Sequence, residues 1–332
     1  MRVVFCLFWI VAASPSFRAH GASTDANLDA ARREAEVIFY ASMNLAEANV
    51  MIAEFEKRYP PIRVKLNRSG SEKLLTRVLA EARAKRVSAD VIQTVEFSMH
   101  ILKRRGILAR HISPSDTFYP SSFKDAGFWT TVYYNPYVTA YNTRQVTPEA
   151  LPKSYEDLLD PKWKGKLMME STKADWFAGM LQIMGQERGL SYMRQLAKQE
   201  PMLREGHELL AQLVAAGEGS FDVNIPASSV ERVKEKGAPI QWVALGEAPA
   251  IMVGIGLASQ AAHTNAAKLF IDFALSRDGQ KLQQSFGRLV ARSDLAADQP
   301  AAIRQIKMAP VNPELAEKLK DYATQLRTIF GG

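Results

Sequence analysis

Four short segments of this sequence bring together residue types that suit an anion: Ser42-Met43-Asn44, Ser69-Gly70-Ser71, Ser171-Thr172-Lys173 and Ala227-Ser228-Ser229. Each stands between a short strand-like run and a stretch of helical periodicity. Ser, Thr and Asn oxygens accept the free backbone N–H groups of a helix's first turn. Those N–H groups, at the positive end of the helix dipole, also hold carboxylates and phosphates. Gly70 lacks a Cβ and lets a ligand approach the backbone closely. One such turn is ordinary capping. Four of them at strand ends, split between two sheets, point to a shared cleft.

Other candidates surround these turns. Arg68 can fork onto a carboxylate or phosphate. Glu96 follows a strand and can orient a ligand, and Lys173 and Asp175 flank a helix start. Tyr133 and Trp176, with Trp129 and Tyr134, offer stacking surfaces. The candidate ligand-binding set is Ser42, Asn44, Arg68, Ser69, Gly70, Ser71, Glu96, Tyr133, Ser171, Thr172, Asp175, Trp176, Asn224 and Ser228.

Catalytic patterns do not accompany them. His20, His100, His111, His207 and His263 show no His-x-x-x-His or Glu-flanked spacing for zinc. Gly254-Ile255-Gly256 lacks the third glycine of a dinucleotide loop. There is no P-loop and no Gly-x-Ser-x-Gly elbow. The single cysteine, Cys6, lies in an apolar N-terminal run, so the rest of the chain has no thiolate chemistry and no disulfides. The expectation is capture without chemistry: no enzyme, no cofactor and no resident metal.

The elements that must position these residues alternate. Val37-Ile38-Phe39-Tyr40 is a compact apolar run suited to a buried strand. A helical stretch with Leu45, Ile52, Phe55 and Tyr59 follows and stops at Pro60-Pro61. Ile62, Val64 and Leu66 then alternate with polar residues, the strand period. A helix through Leu74, Val78 and Leu79, a strand at Ala89–Ile92 and a helix ending near Gly106 complete the first set. The second set starts after the aromatic stretch 129–141. It has a strand at Lys166–Met169, a helix through Trp176 and Met184, a strand at Phe221–Ile225 broken by Pro226, and a helix over Ser228–Lys236. This rhythm predicts an α/β fold with parallel sheets, turns gathered along one edge. A terminal amphipathic helix follows Asn312.

Arg2 followed by the apolar run Val3–Ala13 reads as an export signal, with cleavage near Gly21 or Ala22. The run is too short to span a bilayer, which takes about 20 apolar residues. Removing Arg2 and Arg18 lowers the formal charge from +7 to +5, with 40 basic residues against 35 acidic. Both signs are interspersed along helix faces, and no basic tract is interleaved with aromatics, so no nucleic acid partner is expected.

The segments VIFYAS (37–42), Ser88-Ala89-Asp90-Val91, YNPYVTAYNT (134–143), YEDLLDPKWKGK (155–166) and NAAKLFIDF (265–273) resemble the bacterial extracellular solute-binding proteins of ABC importers. The resemblance lies in the branch that includes ferric-ion-binding proteins and covers nearly the whole chain after the export segment. It implies two doubly wound lobes joined by crossing hinge strands, the type II periplasmic binding arrangement. Residues 22–131 and 257–312 would form the first lobe and 132–256 the second. Crossings fall near 132–141 and 242–256, and a C-terminal helix occupies 313–332. It also implies a periplasmic monomer that hands a small solute to an inner-membrane permease. The ferric subgroup holds iron with two adjacent tyrosines in the turn before a second-lobe helix, aided by a His or Glu of the first lobe. Here that turn reads Asn224-Ile225-Pro226-Ala227-Ser228-Ser229, and Ser42-Met43-Asn44 has no histidine. The expected solute is therefore a polar organic anion, a carboxylate or phosphate. Ferric ion or a ferric complex, a sensing role for a membrane receptor, and a secreted enzyme on the same fold are the alternatives.

Overall fold

The computed structural model describes residues 28–125, 127–299 and 301–331. The export segment expected at 1–21 lies outside the described residues. A helix over residues 28–34, α1, leads into strand β1 (Glu36–Ala41), α2 (Leu45–Arg58), β2 (Arg63–Arg68), α3 (Ser71–Arg83), β3 (Val91–Val95) and α4 (Glu96–Arg104). Two short strands follow, β4 (Leu108–Ala109) and β5 (Lys124–Asp125), and then the long β6 (Trp129–Asn142). The next elements are β7 (Leu167–Glu170), α5 (Ala174–Met184), α6 (Gln186–Ala197), β8 (Met202–Arg204), α7 (His207–Ala216), β9 (Phe221–Pro226) and α8 (Ala227–Lys234). The chain closes with β10 (Ile240–Val243), β11 (Ala248–Ala258), α9 (Thr264–Leu275), α10 (Arg277–Ser285), α11 (Ala301–Arg304), β12 (Met308–Pro310) and α12 (Leu319–Phe330).

The main strand order is β2-β1-β3-β11-β6-β9-β7-β8. Each end of this order is a parallel block: β1 lies parallel to β2 and β3, and β7 parallel to β8 and β9. The two long strands between them run antiparallel to each other. The first half of β6 pairs with β11, and its second half, from Tyr137 to Tyr141, pairs with β9. β11 in turn pairs with β3 over Val253–Leu257. These are the crossing strands of a two-lobed α/β fold, and their ladders shift register at Val253/Gly254 and at Val138/Ala140.

Burial explains why these segments hold together. Phe39 on β1 meets Phe270 on α9 with ring centroids 4.8 Å apart, and Phe270 meets Phe55 on α2 at 4.9 Å. The second lobe packs Trp163 edge-on against Phe221 at 4.8 Å. Gly254 and Gly256 serve packing within β11. A Cβ on Gly254 would lie 2.7 Å from the Trp129 ring, and one on Gly256 2.4 Å from the Phe128 carbonyl oxygen.

Three elements depart from the sequence pattern. The strand expected at Ala89–Ile92 runs instead from Val91 to Val95. Asp90 is occupied as an acceptor, taking the Ile38 N–H at 2.8 Å and the His263 N–H at 3.0 Å. Pro226 ends β9 and directly precedes α8, so the proline sets the strand-to-helix corner. The terminal helix proper starts at Leu319, after a 3-10 segment over Pro313–Lys318 capped by Asn312.

Candidate functional site

The C-terminal ends of β1, β2 and β3 on one side, and of β7 and β9 on the other, face a cleft of ≈ 390 Å³. Such ends are where helices begin in parallel α/β sheets, so helix N-termini converge there.

The first-lobe face is tied to itself. The buried Gln93 side chain accepts the Ser42 and Met43 N–H groups through Oε1 at 3.2 and 3.3 Å. Asn44 caps α2 by accepting the Ala46 N–H at 2.8 Å. Arg68 donates from Nε to the Met43 carbonyl at 3.0 Å. The second-lobe face is held from behind. Asn224 accepts the Glu170 N–H at 2.8 Å and donates to the Glu170 carbonyl at 3.0 Å, fixing β7 against β9. No N-cap side chain accepts from the first turns of α3, α5 or α8, but Asp175 Oδ1 takes the Trp176 N–H of α5 at 2.8 Å.

A chain of charges crosses the cleft. Arg288 donates to the Glu47 carboxylate from Nε at 3.0 Å and lies 2.9 Å from it through Nη2, with both side chains buried. Its guanidinium carbon sits 4.6 Å from the Tyr133 ring centroid. Nη1 of Arg288 reaches Asn135 Oδ1 at 3.3 Å and Ser228 Oγ at 3.4 Å. Arg232 donates to Glu208 at 3.3 Å and to Ser229 Oγ at 3.2 Å. Its Nη1 is buried 3.9 Å from Glu47 and makes no hydrogen bond.

The other end of the cleft is ordered by burial. Desolvation pushes the Tyr137 phenol well above its usual range, and the negative charges of Asp175, Glu170 and Asp222 add to this. Burial also raises Asp222 to about 7, against the N–H of Asn224, which favours its charged form. Glu170 is raised by burial as well. His207, 3.5 Å from the Tyr137 hydroxyl, is driven well below the usual imidazole range by burial, then by Lys173 and Arg232. Among the described residues, no three His, Cys, Asp or Glu side chains are grouped to hold a metal ion.

Seven of the fourteen residues of the candidate ligand-binding set line this cleft, Ser42, Asn44, Arg68, Ser71, Tyr133, Thr172 and Asp175, and Lys173 lines it beside them. Ser69, Gly70 and Ser171 sit in the adjoining turns without lining it, and the Ser69 hydroxyl is buried without a partner. Glu96 is wholly buried, and its Oε2 accepts the Met252 N–H of β11 at 3.0 Å. Burial holds that carboxyl well above the usual range. Trp176 packs into the second-lobe core, and Asn224 is spent on Glu170. Ser228 stands behind the cleft against Asn135 and Arg288. Trp129 packs on Gly254, and the Tyr134 hydroxyl donates to Gln299 at 3.3 Å.

Asn135, Tyr137, His207, Arg232 and Arg288 line the cleft and were not among the residues singled out in the sequence. Two of them had a signal. Asn135 and Tyr137 lie two and four positions after Tyr133 on one strand, hence on its face. Arg232 lies four after Ser228, one helical turn along α8. Arg288 and His207 are remote in sequence from every turn.

Comparison with known proteins places these features. The family described as bacterial extracellular solute-binding protein matches residues 87–318. A Sinorhizobium fredii protein named Probable ABC transporter periplasmic-binding protein y4fP is 24% identical over 258 residues, 73% of this chain and 70% of that protein. Iron uptake protein A1 of Synechocystis sp. is 25% identical over 295 residues, 82% of this chain and 80% of that protein. The periplasmic binding protein AfuA from Actinobacillus pleuropneumoniae, described with fructose-6-phosphate bound, superposes with a TM-score of 0.77 at 22% identity, covering 89% of this chain and 98% of that one. Iron-bound HitA from Pseudomonas aeruginosa gives a TM-score of 0.77 at 21% identity, covering 89% and 99%. At these identities the likeness to solved structures is one of fold.

Proposed function

The chain belongs to the bacterial extracellular solute-binding proteins, and on that premise we propose that it captures a small organic anion, a carboxylate or phosphate, in its interlobe cleft. As a member it serves ABC import as the periplasmic solute-binding component and pairs with an inner-membrane permease. The observation that carries the ligand class is the gathering of Arg68, Lys173, Arg232 and Arg288 at a cleft where α3 and α8 begin without side-chain caps. Free N–H groups and guanidinium forks together suit oxyanions. Arg288 is already matched by Glu47, whereas Nη1 of Arg232 has no hydrogen bond and would welcome an acceptor.

The work done is binding. In an open form the solute meets one lobe, and the closed form is favoured because the solute contacts both. Ser42, Arg68, Ser71 and Tyr133 would supply the first-lobe contacts, and Thr172, Asp175 and Arg232 those of the second. The lobe limits that go with this reading are 22–131 with 257–312, and 132–256. The protein acts as a monomer, without catalysis or nucleic acid, after loss of its export segment.

Ferric ion or a ferric complex is the second reading. It is favoured by Tyr133 and Tyr137 at the cleft, with His207 3.5 Å from the latter hydroxyl, and by the names of the iron-linked relatives. Burial works against it, since both phenols are held above their usual range and must lose protons to ligate.

A thermal-shift panel of organic acids, phosphorylated solutes, ferric ion and ferric citrate separates the two. A solute at about 100 times its Kd adds about 2.7 kcal/mol, enough to raise Tm by several degrees. Stabilisation by organic acids or phosphates in iron-free buffer is expected. Stabilisation by ferric ion alone would overturn the anion reading.

A further inference from the structure

We infer that the solute is an amphipathic anion, with an apolar hydrocarbon body attached to its acid group. The inference rests on the anion reading and narrows it. The floor of the cleft changes character from strand to strand. Val95 on β3 pairs with Val253 on β11, and Val253 pairs with Tyr133 on β6. All three line the cleft. At about 4.8 Å per strand this row spans about 10 Å. It runs from two valines to the ring whose centroid lies 4.6 Å from the Arg288 guanidinium carbon. In a second row Ile251 of β11 pairs with Asn135 of β6, and Asn135 Oδ1 accepts from Arg288 at 3.3 Å. The floor is therefore apolar along β3 and β11 and polar along β6.

The walls repeat the division. α7 and α8 pack on β6, and their side of the cleft is joined to α2 by polar contacts. Asn44 and Arg232 both donate to Glu208, at 3.4 and 3.3 Å, and Arg288 donates to Glu47. α4 and α5 pack on β11 instead, α3 packs on α4, and α12 packs on α5. Here the cleft meets Leu75 and Leu319, both half-buried, and the buried Phe97. Val95 and Leu319 pack against the apolar cluster that holds Phe97, Ala174 and Ile251. The polar residues beside this wall are committed or turned to solvent. Asp175 Oδ1 takes the Trp176 N–H at 2.8 Å, Arg68 Nε donates to the Met43 carbonyl at 3.0 Å, Ser98 is buried and Glu72 is exposed. A polyol acid closed into the cleft would press hydroxyls against Leu75, Val95 and Leu319, where they lose water and gain no partner. A hydrocarbon body there gains about fourfold in affinity per buried methylene. The acid lies toward Arg232 and Arg288, and the body over Val253 toward Val95.

Calorimetric titration of the full chain in iron-free buffer tests this with propyl phosphate against glycerol phosphate, and with hexanoate against gluconate. Each pair shares a carbon skeleton and differs in its hydroxyls. In the series that binds, the alkyl acid should bind at least about tenfold tighter than its polyol counterpart, a difference of about 1.4 kcal/mol, with a negative heat-capacity change. In Val95→Thr and Leu319→Gln, each with an unchanged melting temperature, that ratio should fall at least about threefold. Weakening of both acids alike in these variants, with the ratio kept, would overturn the assignment of this wall. Equal or tighter binding of glycerol phosphate or gluconate by the native chain would overturn the apolar body and leave the anion reading standing. Binding of no acid, alkyl or polyol, would overturn the anion reading and the apolar body with it.

Discussion

The two faces of the cleft differ in how much charge they bury. On the first lobe, side chains close the turns on themselves: Gln93 takes the Ser42 and Met43 N–H groups, Asn44 caps its own helix, and Arg68 holds the Met43 carbonyl. On the second lobe, α8 starts uncapped, Asp175 takes the Trp176 N–H of α5 at 2.8 Å, and the polar groups behind them, Glu170, Asp222 and Asn224, are buried below the cleft surface. The first face is a fixed platform, while the second leaves the start of α8 open and stores poorly solvated carboxylates. The lesson is that similar strand-to-helix turns on two sheets need not do the same work. One half gives shape, and the other gives the groups a solute can still satisfy.

Breaking the pair that anchors the platform should have the largest effect. Arg288→Ala leaves the buried Glu47 with only Arg232, 3.9 Å away and not hydrogen-bonded to it, and should destabilise the fold by about 3 kcal/mol in urea unfolding. Removing the exposed Arg58–Asp278 pair, 2.7 Å apart but with side chains 50% and 69% exposed, should change stability by under about 1 kcal/mol. Equal losses would mean that burial does not set the value of these pairs. Next, Gln93→Ala should cost about 1–3 kcal/mol by stranding the buried Met43 N–H, while the Ser42 N–H keeps the Gln93 main-chain carbonyl at 3.0 Å, and should raise amide exchange at Met43.

The second face is probed by pH. Asp222 sits at about 7 in the folded chain, above its unfolded value, so the fold holds its proton more tightly than the unfolded chain does. Its contribution is therefore lost as pH rises from the unfolded pKa toward 7 and is spent above that. Asp222→Asn should then be more stable than the native chain at pH 8, with a gain that shrinks toward pH 4 at up to about 1.4 kcal/mol per unit. A gain independent of pH would contradict the assignment. Smallest of all, Asn44→Ala should cost about 1 kcal/mol as a lost cap, whereas Ser71→Ala, which caps nothing, should leave Tm unchanged.

Much of the fold was legible because its signals are local. Val37–Tyr40 reads as a strand from its run of apolar residues, and α2 stops where Pro60-Pro61 say it must. β3 was displaced because Gln93 and Thr94 are buried polar residues, invisible to an apolar pattern. The cleft was half legible. Turn residues such as Ser42 and Thr172 carry their chemistry in their type and place. Trp176 looks the same in sequence whether it stacks on a solute or fills a core, and here it fills a core. Arg288 joins the site only because the second crossing strand, β11, brings α9 and α10 back to the first lobe, so its nearest charged partner is Glu47, 241 positions away.

The most direct test of the account is the affinity of an organic phosphate or carboxylate for the native chain and for Arg232→Ala, measured by calorimetry in iron-free buffer. Arg232 is the one cation of the charge chain with a buried nitrogen and no hydrogen bond for it, so its loss should weaken binding tenfold or more, at least about 1.4 kcal/mol, while Tm in the absence of solute moves little. Unchanged affinity in Arg232→Ala, or binding that appears only when ferric ion is added, would contradict it.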